Sequence, residues 1–320
     1  MNNSEPSQSE LIKLLEYFTK EEYKEAEILA LSISEEFPNH PFSWKVLGSV
    51  LRLSGRVSEA LIFNQKAVKL DPKDSNAHNN LGNNLNDLNR LAEAEECFRL
   101  AIELKSDSAK SHYNLGRLLS RQGRLREAEV SYNKAIGIKP DYVDAQTNLG
   151  NVLLDLGELD KAEKSYKNAI SLSPSNPSLY CNLGALLRKL GRLNEAELSY
   201  RKAVAIKPDF ATAYNNLGNT LRSLDKFKEA EKGYRQAITL NPDYAEAHYN
   251  LGNLLKDLGR LDEAEASCKY AISIKSDFDE AFDGLGMIKL KKGKHKEGLK
   301  NLRIGSGSII FDINNGVTIK

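Results

Sequence analysis

Three histidines are the side chains of this sequence best suited to holding a metal ion. His78 and His112 are 34 residues apart, and His248 follows at four times that spacing. A zinc ligand must approach the ion within about 2.1 Å, whereas packed helices that carry equivalent residues lie about 8–10 Å apart. Aromatic residues fill the same place elsewhere in the chain, as Trp44 and Tyr180 do. We therefore expect the histidines to pack against their neighbours, and we predict no metal site.

Cysteine chemistry is equally poorly supported. Cys97, Cys181 and Cys268 lie more than 80 residues apart, which gives neither a disulfide framework nor a metal-binding motif. The sequence also contains no phosphate-binding loop, nucleophile elbow or dinucleotide fingerprint. We predict reduced, partly buried thiols, no cofactor and no catalytic activity in this chain.

A row of asparagines is the most informative polar pattern. It consists of Asn80, Asn114, Asn148, Asn182, Asn216 and Asn250, each 34 residues after the last. Asparagine is a mediocre helix former, so an exposed helical position gains no stability from it. Its carboxamide offers two donors and an acceptor, which match the polar groups of a peptide backbone. The row predicts a peptide-binding surface; the alternative is that asparagine was copied during duplication and bonds the neighbouring helix.

The elements that carry these residues repeat every 34 positions. With Pro41 as position 1, Asn-Leu-Gly fills positions 6 to 8 in six successive units, and alanine fills positions 20 and 27 in seven. Glycine occupies position 8 throughout: Gly48, Gly82, Gly116, Gly150, Gly184, Gly218, Gly252 and Gly286. Proline occupies position 32 in most units: Pro72, Pro140, Pro174, Pro208 and Pro242.

Each unit is expected to form two helices. Apolar residues recur at helical spacing on both sides of position 15, where the chain carries glycine, asparagine or aspartate. These residues tolerate the left-handed conformation that ends a helix. The proline at position 32 ends the second helix, and Asp141, Asp209 and Asp243 are expected to cap the helix that follows.

The pattern of Leu-Gly at positions 7 and 8, alanine at 20 and 27, an aromatic at 24 and proline at 32 resembles the tetratricopeptide repeat. The resemblance covers residues 41–278 in full. It implies an all-α, right-handed superhelical solenoid of antiparallel helix pairs, whose first helices line a concave groove. Position 6 would then face the groove. The asparagine row is similar to that in the repeat region of the O-linked N-acetylglucosamine transferases.

Four segments are predicted. Residues 1–40 form a polar N-terminus and a degenerate capping repeat, residues 41–278 form seven repeats, and residues 279–304 form a degenerate eighth. Residues 305–320 form a strand-like tail, because Asn315-Gly316 separates two apolar stretches in the manner of a hairpin turn. The tail either caps the solenoid or begins a missing domain.

Charge excludes several kinds of partner. The chain carries 45 basic and 44 acidic residues, so no basic excess indicates nucleic acid or an anionic membrane. No signal pattern precedes residue 10 and no apolar run could span a bilayer, which predicts a cytoplasmic protein. The Glu-Ala-Glu triplets, such as residues 93–95, are expected on the outer, solvated surface.

Within the predicted groove, Lys110, Arg117 and Arg222 alternate with Asp144 and Asp257. These charges allow two interpretations: the groove prefers acidic peptides, or the charged side chains simply form a solvated surface. A carboxylate clamp of the kind used by tetratricopeptide co-chaperones matches at Lys45, Asn80 and Lys110. It differs at Ser49 and Asn114.

The sequence therefore predicts a protein-interaction scaffold that binds an extended peptide or a partner segment in its groove. The alternative is a substrate-recruiting arm of a glycosyltransferase or other enzyme whose catalytic domain is absent from this chain. Self-association through the terminal repeats is a third possibility.

Overall fold

A computed structural model describes residues 5–306 and, for the backbone alone, residues 309–312 and 316–319. The chain divides into two compact units, of which the first ends at Leu172 and the second begins at Ser173. Each is a stack of antiparallel helix pairs, which confirms the predicted all-α solenoid architecture. Every helix in the described part of the chain is too short or too polar to cross a membrane.

The first unit contains five helix pairs within the described residues. The first helices are α1 (Gln8–Thr19), α3 (Pro41–Leu53), α5 (Ser75–Asp87), α7 (Ala109–Arg121) and α9 (Val143–Asp155). The second helices are α2 (Tyr23–Glu36), α4 (Val57–Leu70), α6 (Leu91–Leu104), α8 (Leu125–Ile138) and α10 (Leu159–Leu172).

The second unit contains four pairs and a short hairpin within the described residues. Its first helices are α11 (Pro177–Lys189), α13 (Ala211–Ser223), α15 (Ala245–Asp257) and α17 (Asp279–Lys291). Its second helices are α12 (Leu193–Ile206), α14 (Phe227–Leu240), α16 (Leu261–Ile274) and α18 (His295–Gly305). Strands β1 (Ile309–Asp312) and β2 (Gly316–Ile319) pair antiparallel; Asn315, in the predicted turn, lies outside the described residues.

Position 15 ends the first helix as predicted. Its backbone adopts a positive φ in all eight repeats from residue 41 onward, as in Gly55 at 80° and Gly293 at 73°. Three non-glycine residues do the same: Asn89 at 61°, Asp225 at 57° and Glu21, the equivalent residue of the N-terminal repeat, at 61°. Each residue lies in the left-handed region, where glycine, asparagine and aspartate are tolerated best.

The predicted caps at Asp141, Asp209 and Asp243 are wrong. The N-cap falls one residue later, at position 34, where aromatic residues such as Tyr142 make no side-chain cap bond. A cap bond forms where position 34 is short and polar, because its side-chain oxygen then reaches the free amides of the first turn. Asp74, Ser108 and Asn176 accept such bonds.

Glycine at position 8 permits the close approach of the two helices in a repeat. In the third repeat, a Cβ added to Gly116 would lie 2.8 Å from Cε1 of Tyr132, the buried aromatic at position 24. A Cβ added to Gly150 would likewise lie 2.6 Å from Cε1 of Tyr166. Such separations are well inside van der Waals contact, so no larger residue fits.

Ion pairs join neighbouring repeats on the second helices. Arg124 bonds Glu127 of its own repeat and Glu95 of the preceding one; Arg260 does the same with Glu263 and Glu231. The expectation that the Glu-Ala-Glu triplets are simply solvated is therefore wrong for their second glutamate. The side chain of Glu95 is only 16% exposed, and both Arg99 and Arg124 contact it.

Gly116→Ala tests the close approach of the helices. We expect it to destabilise the protein by about 1–3 kcal/mol, because the new methyl group overpacks the contact with Tyr132. Gly137→Ala is the matched control, since its Cβ would meet nothing within 4 Å. That change is expected to be neutral or stabilising by up to about 1 kcal/mol. In urea unfolding followed by circular dichroism, we expect the midpoint to fall for Gly116→Ala and not for Gly137→Ala. Equal midpoints for the two variants would contradict the packing argument.

Glu265 provides a test by pH. Hydrogen bonds from Lys269 and then Lys292 lower the pKa of this carboxyl from 4.5 to about 2. Its contribution to stability is therefore complete above pH 4.5 and lost as the pH falls towards 2. Glu265→Gln should lower the urea midpoint at pH 7 but make progressively less difference in acid. The exposed Glu103→Gln serves as control, and a deficit that persists unchanged in acid would argue against this linkage.

Candidate functional site

The predicted asparagines donate hydrogen bonds to the preceding repeat. In the first unit, Nδ2 of Asn114 donates to Oδ1 of Asn79 at 2.9 Å, and Nδ2 of Asn148 donates to the hydroxyl of Tyr113 at 3.2 Å. Both acceptors occupy position 5 of the preceding first helix. Asn80 instead donates to Oγ of Ser49 at 3.0 Å. Ser49 occupies position 9 of the preceding first helix.

The second unit repeats this arrangement once. Nδ2 of Asn250 donates to Oδ1 of Asn215, again at position 5, at a distance of 3.0 Å. Asn182 and Asn216 make no side-chain hydrogen bond to the described residues of this unit. The structure thus places four of the six predicted residues in bonds between successive first helices.

The expectation that position 6 is exposed is wrong. Asn114 is only 6% exposed, and the other five asparagines are half-buried. Each of the four bonds uses one carboxamide hydrogen. Within the described residues, nothing donates to the Oδ1 of the half-buried Asn80, so that oxygen and the second N–H of its carboxamide are free of partners in the protein.

Asn80 and Asn114 also line a cleft of about 700 Å³ in the first unit. We call it the first-unit cleft. Its walls are formed by the first helices α3, α5 and α7 and by the loops that precede α7 and α9. A volume of this order is typical of a ligand-binding pocket.

Tyr113 is the central contact of this cleft. Its ring lies 4.8 Å from that of Tyr142, and the guanidinium of Arg117 lies 5.8 Å above it. Burial raises the pKa of Tyr113, against the opposing effects of Arg117 and of the bond from Asn148. The hydroxyl is therefore protonated at neutral pH, and it holds one asparagine of the row in a fixed orientation.

Sequence reasoning did not identify position 5 as part of the site. Position 5 is asparagine at Asn79 and Asn215 but tyrosine at Tyr113 and cysteine at Cys181, so no single residue type marks it along the chain. The available signal was their polar character next to each asparagine of the row.

Lys45 is not available for a carboxylate clamp. Its ammonium group pairs with Asp74 at 2.5 Å, and it does not line the first-unit cleft. Of the three matching clamp residues, only Asn80 and Lys110 lie together in that cleft.

The histidines at position 4 close the loops between repeats. Nε2 of His78 lies 2.9 Å from the carbonyl oxygen of Pro72, and His112 and His248 make the equivalent contact with Ser106 and Pro242. Since a carbonyl only accepts, Nε2 carries the proton. Trp44 and Tyr180 donate to the equivalent loop carbonyl in their own repeats, so five repeats close their loop with a ring that carries a donor. Gln146 and Phe282 occupy the position in two other repeats.

The thiols lack the environment of reactive cysteines. Burial raises the pKa of Cys268 to about 12 and that of Cys97 to about 11, which keeps both protonated. All three cysteines are unpaired by disulfides. No group of three or more metal-ligating side chains comes together within the described residues.

The loop contact of His78 can be tested with two substitutions. His78→Phe keeps the ring but removes the donor, and should cost about 1 kcal/mol because the carbonyl of Pro72 loses its partner. His78→Tyr restores a donor of the kind that Tyr180 supplies, so we expect most of that loss to be recovered. Urea midpoints for the three proteins provide the comparison. If Phe and Tyr were equivalent at this position, the hydrogen bond would have no role.

Comparison with protein families supports the repeat assignment. A family model described as TPR repeat matches residues 150–191, 184–221 and 218–259. Models described as tetratricopeptide repeat match residues 74–141, 119–166 and 245–278. Together the matches run without a gap over well over half of the chain. No curated relative matches it.

Three solved structures are similar to this chain over different lengths. A chain of the APC/C hetero-tetramer Cut9–Hcn1 is similar with a TM-score of 0.61 and 16% identity, over 83% of this chain and 52% of its own. The chain thus spans about half the length of that relative. The YrrB structure, a TPR protein with an unusual peptide-binding site, has a TM-score of 0.49 and 25% identity, over 62% of this chain and 99% of its own. The MamA structure has a TM-score of 0.45 and 30% identity, over 49% of this chain and 92% of its own.

Proposed function

The chain belongs to the tetratricopeptide repeat family, and we propose that it is a scaffold that holds an extended segment of a partner protein against its first helices. The observation that carries this proposal is the asparagine row, two members of which, Asn80 and Asn114, lie on the wall of the first-unit cleft. Carboxamides that recur once per repeat suit a ligand whose own polar groups recur along an extended backbone.

The bonds to the preceding repeat favour this role. Asn80 and Asn148 are each held through one hydrogen of their carboxamide, by Ser49 and Tyr113. A side chain fixed in this way has little rotamer freedom left to lose when a ligand binds. Its remaining N–H and its Oδ1 can then pair with a backbone carbonyl and amide of the bound segment.

Binding of this kind depends on several repeats together. Each hydrogen bond contributes about 1 kcal/mol net, and ordering a flexible segment offsets much of the sum. We therefore propose modest affinity and little dependence on the side chains of the ligand at the asparagine row. The similarity of the row to that of the O-linked N-acetylglucosamine transferases supports the same interpretation.

The test is a matched pair of double variants. Asn80→Ala/Asn148→Ala removes two asparagines, whereas Ser49→Ala/Tyr113→Phe breaks the same two inter-repeat bonds and keeps the asparagines. Peptides selected from a random-sequence library on the unmodified chain supply the probe, and fluorescence anisotropy supplies their affinities. We expect the asparagine variant to bind at least about tenfold more weakly. The second variant should lose clearly less affinity, because it keeps the asparagines and gives up only the bonds that orient them.

Equal losses in both variants would show that the asparagines serve only to join the repeats. Circular dichroism must first show that both variants keep their helical content. A second readout is N-methylation of alternate amides in the selected peptides, which should abolish binding if the backbone is what the asparagines contact.

A further inference from the structure

The first-unit cleft is strongly cationic, although the whole chain is nearly neutral. Among the described residues that line it, five are basic and Asp107 alone is acidic. The basic residues are Arg52, Lys105, Lys110, Arg117 and Lys139. The chain as a whole has a formal net charge of only +1, so the imbalance belongs to this surface.

Most of these cations have no acidic partner. Arg52 pairs with Asp87 at 2.9 Å, but within the described residues no carboxylate lies within ion-pair distance of Lys105, Lys110, Arg117 or Lys139. On the second helices, by contrast, basic side chains such as Arg124 are held between two glutamates. The cleft therefore gathers four cations that have no carboxylate partner among the described residues.

Aromatic rings hold two of these cations in place. Arg117 lies over Tyr113 at 5.8 Å and Lys139 over Tyr142 at 5.1 Å, and the two rings are 4.8 Å apart. Contacts with ring faces position a cation without neutralising it. Burial lowers the pKa of Lys110, and repulsion from the charge of Arg52 lowers it further. An anion in the cleft would relieve that repulsion.

We propose that the first-unit cleft binds an anionic stretch of polypeptide, whose carboxylate or phosphate groups lie against Lys110, Arg117 and Lys139. This inference rests on the proposed function and adds to it the chemical class of the ligand. Charge-assisted hydrogen bonds from lysine and arginine suit both kinds of anion. A peptide is favoured over a nucleic acid because Asn80 and Asn114 present backbone-matching carboxamides on the same wall.

Three short peptides that share one sequence, except for Gln, Glu or phosphoserine at alternate positions, form the probe. Their affinities are measured for the full chain, for Lys110→Gln/Arg117→Gln/Lys139→Gln and for Lys69→Gln/Lys134→Gln/Lys164→Gln. The last variant removes the same charge from exposed lysines of the second helices. A single-stranded oligonucleotide is measured alongside, and circular dichroism checks the fold of each variant.

We expect at least one anionic peptide to bind the full chain about tenfold or more tightly than the Gln peptide, with a strong dependence on salt. The cleft variant should lose this preference and the control should keep it. The stronger of the Glu and phosphoserine peptides then identifies the anion.

The inference is overturned if the Gln peptide binds as tightly as the anionic ones, or if the cleft variant keeps the preference; the proposed function would survive either result. Tighter binding of the oligonucleotide at the same lysines would also overturn it. Failure of all three peptides, together with failure of the library selection, would instead overturn the proposed function itself.

Discussion

The two helices of each repeat approach until the ring at position 24 lies against the bare backbone at position 8. At Gly116 no side chain larger than hydrogen fits beneath Tyr132, so this contact fixes which face of the first helix is turned towards the second. Successive residues of an α-helix are rotated by about 100°. Position 6 therefore points roughly away from position 8, and the asparagines are directed to the opposite side of the first helix. A packing constraint in the core thus determines what the surface presents.

Contacts between repeats occur on both sides of the stack. On one side, residues at position 5, such as Asn79 and Tyr113, accept from the asparagine of the next repeat. On the other, Glu95 and Glu231 pair with an arginine of the next repeat. The third repeat is thus joined to the second, and the seventh to the sixth, by a neutral bond between first helices and an ion pair on the side of the second helices. Nearest-neighbour contacts of this kind are the basis of stability in repeat proteins.

Local chemistry was predictable from the sequence, and distances between repeats were not. The turns at position 15 follow from glycine, asparagine and aspartate alone, and even Asn89 and Asp225 adopt the expected φ. The caps failed by one residue because the helix starts at position 1 and its cap at position 34. The burial of Asn114 and the pairing of Glu95 depend on how near the adjacent repeat lies, which periodicity does not specify. The polar row is visible in the sequence, but its bonds to position 5 depend on the spacing of adjacent repeats.

The bond from position 6 to position 5 of the preceding repeat also bears on how such a chain changes in length. Its partners in the first unit are 35 residues apart, as with Asn114 and Asn79 or Asn148 and Tyr113. Removing one whole repeat, residues 109–142, would bring Asn148 next to Asn79, which already accepts from an asparagine. Loss or gain of such a unit therefore regenerates this bond between first helices instead of breaking it. Unequal recombination between these copies can change the number of repeats while the new junction stays hydrogen-bonded.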